Sequence, residues 1–378
     1  MSAALALTLC MCMSPQAADD SDVDIGDAAV REAIDGGVAY LLAHQNEDGS
    51  WGGVKNATFT SAFGNPATYK CWTVGSTALA TLAVLELGKS EEANAAAERG
   101  LDFLVANADL KRPAEWDVDN VWGLVYGLDT LSKAVAHPRF RDTERAGELY
   151  SAAETMVKAL RRYVSPRGGW GYYANPGSAW RPEWATSFTT AVGVLALVEA
   201  RNSGLTVPDE LFDATVRLVQ HTRLPNGAYD YGAAAIPRHL RLESINQVKG
   251  SLGRIQVCNL ALLRAGGELP EGAVQEGIDQ FFRYHRFLDA GRNKPIPHEA
   301  YYAVAAYFYL FGHYYASSII ETLPPETRAP YEAKLRFHIM KCRQKDGAFW
   351  DFWIASTTKN YGTAFSILAL SRTLHDEG

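Results

Sequence analysis

Apolar and polar positions along the chain follow two helical rhythms that take turns. One set of segments is apolar on one face and charged on the other, at roughly 28–44, 93–106, 144–163, 208–222, 271–287 and 325–343. The run Glu144-Arg145-Ala146-Gly147-Glu148 shows its charged face. The second set is small and apolar nearly all round, at roughly 72–88, 119–135, 185–202, 250–266, 299–320 and 361–374. Thr77–Val84, Thr190–Leu197 and Ala364–Leu370 are its clearest stretches. A half-polar helix faces solvent, and an all-apolar one is buried on every side. No long run alternates as a strand would.

Between the two helices of a unit stands a glycine-aromatic turn. It reads Gln45-Asn46-Glu47-Asp48-Gly49-Ser50-Trp51, then Pro166-Arg167-Gly168-Gly169-Trp170, Pro225-Asn226-Gly227-Ala228-Tyr229 and Gln344-Lys345-Asp346-Gly347-Ala348-Phe349-Trp350. Gly49, Gly169, Gly227 and Gly347 are separated by 120, 58 and 120 residues, so the period is about 60, with degenerate turns near Asp109 and Asp289. Six hairpins account for nearly the whole chain. An inner ring of buried helices inside an outer ring is an all-α, single (α/α)6 toroid, which merges residues 28–378 into one domain. The glycines suit positive φ, which stops the outer helix. The aromatics at Trp51, Trp170, Tyr229 and Trp350 are expected to cover its open carbonyls. Gln45 and Gln344 can bond helix-terminal groups.

Composition narrows the function. The 378 residues are 47% hydrophobic, with a formal net charge of -7 and no basic block, which argues against nucleic acid as partner. Aromatics are abundant, with nine Trp and eighteen Tyr, and many fall between Ala300 and Tyr315, where Tyr301, Phe308 and Tyr315 recur every two turns of the expected helix. Ala3–Met13 and the small residues after it read as a signal peptide over 1–18, followed by a short disordered linker at 19–27. The expected destination is periplasmic or extracellular. No later run is long enough for a membrane helix. Cys71, Cys258 and Cys342 are far apart and read as buried thiols, not as a disulfide framework or a zinc site.

Gln45-x3-Gly49-x-Trp51 fits the QW motif of squalene-hopene cyclases, and Gln344-x2-Gly347-x2-Trp350 is a shifted variant. Over nearly all its length the chain resembles the prenyltransferase and squalene-cyclase repeat superfamily. That resemblance implies a terpenoid cyclase toroid. The cyclases carry an Asp-x-Asp-Asp motif whose middle acid protonates an alkene. Here Trp116-Asp117-Val118-Asp119-Asn120 matches the first two acids, with Asn120 in the third place. The resemblance makes Asp119 the proton donor and Asp117 its companion, an isomerase-type reaction without cofactor or metal. Both acids also stand where an inner helix starts, and aspartate caps helices well. The zinc-binding Asp-x-Cys pair of protein prenyltransferases and the Gly-Cys-Gly-Glu-Gln segment of thioester domains do not occur.

In a toroid the inner helices all begin at one end, so their first residues ring one mouth with positive dipole ends. These are Tyr69, Trp72 and Thr73; Trp116, Asp117, Asp119, Asn120 and Trp122; Trp180, Glu183, Trp184 and Thr186; Arg254 and Gln256; His298, Glu299, Tyr301 and Tyr302; and Lys359, Asn360, Tyr361 and Thr363. Trp72, Trp116, Asn120, Trp122, Trp184, Arg254, His298, Glu299, Tyr302 and Tyr361 form the expected ligand pocket. Three readings follow: an isoprenoid cyclase or binder, a carbohydrate-active enzyme using Asp119, Glu299 and His298, and a noncatalytic binding toroid. A deep dry cavity favours the first, an open cleft with two carboxyls the second, and a filled axis the third.

Overall fold

A computed structural model of the chain describes residues 25–53, 66–110, 120–171, 185–233, 244–353 and 356–375, with the backbone alone at 66–68, 120 and 356. The expected signal segment 1–18 lies outside them. In chain order the helices are α1 (Asp27–Ala43), α2 (Pro66–Leu87), α3 (Glu91–Ala106), α4 (Asn120–Ala136), α5 (Glu144–Tyr163), α6 (Ser187–Asn202), α7 (Asp209–His221), α8 (Leu252–Ala265), α9 (Ala273–Arg283), α10 (Arg286–Gly291), α11 (Phe308–Ile320), α12 (Pro325–Met340) and α13 (Ser356–Ser371). Two antiparallel strands of two residues each, β1 (Ala185–Thr186) and β2 (Gly232–Ala233), are the only sheet among the described residues. None of the helices described is long and apolar enough to cross a membrane.

The inner helices close a ring: α2 packs on α4, α4 on α6, α6 on α8, α8 on α11, α11 on α13, and α13 back on α2. The chain is an (α/α)6 toroid. All thirteen residues of α11 are buried, whereas α7 buries only Leu211, Phe212, Thr215, Val216, Leu218 and Val219, at the spacing of one helical face. Each outer helix leans on the inner helix before it. α3 packs on α2, α5 on α4, α7 on α6, α9 on α8 and α12 on α11. The first outer helix, α1, rests chiefly on the last inner one, α13. Arg336 and Arg343 complete that closure, pairing with Asp27 at 2.7 Å and Glu32 at 2.9 Å.

One turn, built four times, joins the layers. The N–H groups of Asn46, Ser165, Leu224 and Gln344 donate to the carbonyls of Ser50, Gly169, Ala228 and Ala348 at 2.7–2.8 Å. The positive-φ residues are Gly49, Gly168, Gly227 and Gly347, so the second turn uses Gly168 where Gly169 was expected. Two residues later the aromatic's own N–H donates to a hydroxyl of the next inner helix or its cap. Trp51 bonds Thr77 (2.9 Å), Trp170 bonds Thr190 (3.1 Å), Tyr229 bonds Ser251 (3.2 Å) and Phe349 bonds Thr363 (2.9 Å). The Trp51 and Trp170 indoles donate to Leu41 and Leu160 carbonyls in the last turns of α1 and α5. This is the expected covering of helix ends. In the fourth turn Phe349 takes that place. Trp350 turns away and donates to the Phe352 carbonyl and Thr358 hydroxyl. Gln45 reaches the Ala96 carbonyl of α3 at 2.9 Å, while Gln344 bonds only within its own turn, to the Cys342 carbonyl.

Aromatic rings from non-adjacent inner helices meet near the axis. α6 and α11 are not neighbours, yet Phe188 meets Phe308 at 5.2 Å and Phe311 at 6.4 Å. Tyr126 of α4 likewise meets Phe365 of α13 at 5.8 Å. α4 and α11 face each other across the ring, where the buried Tyr126 and Tyr315 side chains interact. The expected helix over 299–320 begins only at Phe308. The backbone turns left-handed at His298, Tyr302 and Ala303, which breaks the helix before Phe308. Tyr301, 78% exposed, therefore does not share a face with the buried Phe308 and Tyr315. Cys71, Cys258 and Cys342 are buried and form no disulfide among the described residues.

The turn geometry sets an order of costs. A Cβ on Gly49 would fall 2.2 Å from the Arg99 carbonyl oxygen, at φ +85, whereas one on Gly227, at φ +83, meets nothing closer than 3.9 Å. Gly227→Ala should cost the left-handed conformation alone, about 1–2 kcal/mol, and Gly49→Ala clearly more. Gly147→Ala, in open space on α5, should stabilise by up to about 1 kcal/mol. Urea midpoints of the three variants measure this order, and equal losses at Gly49 and Gly227 would contradict it.

Candidate functional site at the inner-helix mouth

The N-terminal ends of the inner helices bring one connected group together. Trp122 in the first turn of α4 meets Phe188 of α6 at 5.9 Å, and Phe188 meets Tyr231 at 5.2 Å. Tyr231 stands edge-on to His298 at 5.4 Å, and His298 meets Tyr307 at 6.0 Å. Trp122, Tyr231, His298 and Tyr307 are half-buried, above the buried Phe188 and Phe308. Arg254, 1% exposed, lies beneath, 5.2 Å from the Tyr231 ring and 5.7 Å from Phe308. Its guanidinium donates to the carbonyls of Gly250, Tyr229 and Ile245. Those bonds tie α8 to the loops at the mouth.

The bonds of His298 define its proton. Nδ1 lies 2.7 Å from the Ala303 carbonyl, which can only accept, so Nδ1 carries the hydrogen. Nε2 then accepts from the Tyr307 hydroxyl at 3.0 Å, with the Tyr231 hydroxyl at 3.4 Å. Burial, aided by the Arg254 cation, lowers the ring's pKa despite the Ala303 bond, which keeps it neutral. A tyrosine whose proton is held by a neutral imidazole offers its lone pairs to a ligand hydroxyl. The backbone carrying this group is left-handed at His298 (φ 66), Tyr302 (φ 58) and Ala303 (φ 54). Such residues cost on the order of 1–3 kcal/mol each and persist where their surroundings impose them, often at functional sites.

Of the expected pocket residues, Trp122, Arg254 and His298 come together here. Trp72 and Tyr361 lie half-buried near the starts of α2 and α13. Two others do not join. Glu299 is exposed, with Oε1 3.4 Å from the Ile296 N–H. Tyr302 turns to the outer layer, where its hydroxyl accepts from Lys249 and its ring meets Phe287 at 4.9 Å. The left-handed segment aims both away. Thr186 caps α6, Thr363 holds the Phe349 turn, Gln256 bonds the Gly277 carbonyl and Lys359 pairs with Asp346. Trp116, Asp117, Asp119 and Trp184, and the side chain of Asn120, lie outside the described residues.

Sequence reasoning missed Tyr231, Tyr307 and Asp351. Tyr231 and Asp351 both stand four residues after a turn glycine, a position with its own signal. Asp351 is fully buried, and its Oδ2 accepts from the Leu310 N–H in the first turn of α11 at 2.8 Å. Its Oδ1 has no hydrogen-bond partner among the described residues. Burial pushes its pKa up to about 7 against the pull of backbone N–H groups. The adjacent Phe352 ring meets Tyr307 at 5.7 Å, so this buried carboxyl stands just behind the group.

No protein-family model and no curated protein matches the sequence. Solved structures do match in fold. An inactive variant of the GH76A α-1,6-mannanase of Salegentibacter sp. HEL1_6, in complex with α-1,6-mannotetrose, is 10% identical, with a TM-score of 0.58 over 91% of this chain and 99% of that one. The unsaturated glucuronyl hydrolase of Bacillus sp. GL1 is 11% identical, with a TM-score of 0.59 over 91% and 96%. The type II terpene cyclase MstE from Scytonema is 15% identical, with a TM-score of 0.51 over 91% and 98%. What the chain shares with these proteins is the (α/α)6 toroid fold, in which terpene cyclases are one kind among several. MstE also shows that one toroid suffices for a type II cyclase fold.

Asp351 gives a pH signature. Its folded pKa, about 7, lies above its ordinary 3.8, so between those values the folded chain keeps a proton that the unfolded chain has lost. Its contribution therefore falls as pH rises from about 4 to 7. Asp351→Asn keeps an acceptor for the Leu310 N–H and should remove that fall. Melting temperatures across this range would show the variant gaining on the wild type as pH rises. A constant difference would refute the buried, protonated carboxyl.

Proposed function

We propose that the chain is a carbohydrate-active (α/α)6 enzyme that takes a glycan into the cup at the mouth of its inner helices. The observation that carries this reading is the floor made by Tyr126 and Tyr315. These residues lie six and seven positions into α4 and α11, about 9–10 Å below the mouth at 1.5 Å per residue, and they meet across the axis. A long isoprenoid needs a deep dry cavity, and the rings that meet near this axis narrow that space. A sugar needs a shallow site, a ring face to stack on and hydroxyls to bond. Trp122, Tyr231 and Tyr307 supply faces, and the His298-held tyrosine hydroxyls supply the bonds. The named actions of the mannanase and the glucuronyl hydrolase favour the same substrate class.

In this reading Asp119, of the expected set Asp119, Glu299 and His298, gives its proton to the leaving oxygen while a water adds to the anomeric carbon and passes its own proton to a base. Export by the segment 1–18 would deliver the enzyme to polymeric glycans. The purified protein is to be incubated with α-mannans, unsaturated uronyl oligosaccharides and, in parallel, squalene and geranylgeranyl substrates. Glycan cleavage is expected, with Asp119→Asn lowering kcat by about 10²-fold or more. Cyclised isoprenoid products would overturn the reading. Glycan binding without turnover would make the toroid a lectin-like binder.

A further inference from the structure

A second cluster of chemistry lies away from the mouth, where α10, α11 and α12 meet. His285 is the N-cap of α10, Asp289 follows one turn later, His313 comes from α11 and His338 from α12. His285 and His313 are buried, and Asp289 and His338 are partly exposed.

The proton positions can be traced. His313 Nδ1 lies 2.7 Å from the Tyr309 carbonyl, so it carries a hydrogen and its Nε2 is an acceptor when the ring is neutral. His285 Nε2 lies 3.0 Å from that Nε2, so His285 donates there. A neutral His285 then presents the lone pair of Nδ1 to Asp289 Oδ2 at 3.1 Å. A lone pair and a carboxylate at this distance require a cation shared between them: a second ring proton or a metal ion. Ligand distances of about 2.0–2.2 Å from nitrogen and oxygen accommodate such a separation.

We propose that His285 Nδ1, a carboxylate oxygen of Asp289 and a ring nitrogen of His338 form a binding site for a divalent transition ion such as zinc. These three ligand atoms lie within 4.8 Å of one another. His338 Nδ1 is buried and has no hydrogen-bond partner among the described residues. The outer bonds are of the kind that orient metal ligands. His313 fixes the tautomer of His285, and the Tyr309 hydroxyl donates to Asp289 Oδ1 at 3.1 Å. His338 lies flat on His285 with ring centroids 3.4 Å apart, so loading turns it about χ2. Lys341 Nζ, 3.5 Å from Asp289 Oδ2, and Arg292 Nε, 3.9 Å from Oδ1, compete for the carboxylate, and the ion must displace the lysine into solvent. Two histidines and one carboxylate leave a position for water, on the exposed side of Asp289. The two ligand histidines, 285 and 338, are 53 residues apart in sequence, too far for a recognisable ligand spacing.

The test is calorimetric titration of EDTA-treated full-length protein with zinc sulfate, alongside cobalt(II) absorption. One ion per chain is expected, with visible cobalt bands and a raised melting temperature. Asp289→Asn and His338→Gln, each checked for folding by circular dichroism, should weaken binding at least about tenfold. His221→Ala, on the exposed end of α7, should leave it unchanged. No stoichiometric uptake by the wild type overturns the site. So does equal uptake by the two ligand variants, which would mark an adventitious ion elsewhere. A doubly protonated His285 ring, seen by ¹⁵N NMR in protein with zinc added, would assign the cation to a proton.

Discussion

Everything in this toroid depends on how each outer helix ends. A helix must stop with carbonyls unpaired, and an unpaired buried carbonyl is costly. The glycine-aromatic turn meets that constraint twice over. Its left-handed glycine reverses the chain against the next outer helix, as Gly49 does at Arg99 and Gly347 at Gly36. Its aromatic residue then bonds a hydroxyl of the inner layer, and in two units also caps the helix just ended. The same few atoms thereby fix the outer spacing and the height of the inner helices. With α1 resting on α13, the ring closes.

That fixed height makes a site possible. Because the inner helices start together, the residues just before and after those starts converge. The strained segment at His298–Ala303 can be held only by such a rigid rim. Below it, rings from non-adjacent inner helices pack against one another near the axis. The chemistry lies in what the rim presents: neutral imidazole, tyrosine hydroxyls and half-buried ring faces.

The fold was legible in the sequence because its signals are repetitive. Six alternations of half-polar and apolar helices, and four glycine turns, leave little choice of architecture. The errors were local. Gly168-Gly169 offers two glycines and only the backbone decides between them; Phe349-Trp350 does the same with aromatics. The start of α11 was placed too early, at 299, because the apolar periodicity extends back into a segment whose backbone is left-handed at Tyr302 and Ala303. The site was half legible. Trp122, Arg254 and His298 follow from the rule that inner helices share a mouth. Tyr231, Tyr307 and Asp351 depend on where a turn aims its last residues, which spacing alone does not encode. The histidine cluster was illegible, since its members meet only through the packing of three helices.

The central claim is that the mouth is a shallow glycan cup floored by Tyr126 and Tyr315. The most direct measurement is a crystal structure of the protein soaked with an α-mannooligosaccharide. The account predicts a sugar ring against Trp122 or Tyr307, within hydrogen-bonding distance of the His298–tyrosine group, with the Tyr126–Tyr315 contact intact beneath it. A sugar bound elsewhere would contradict the account. So would a parallel soak in which a polyprenyl chain passes between a parted Tyr126 and Tyr315.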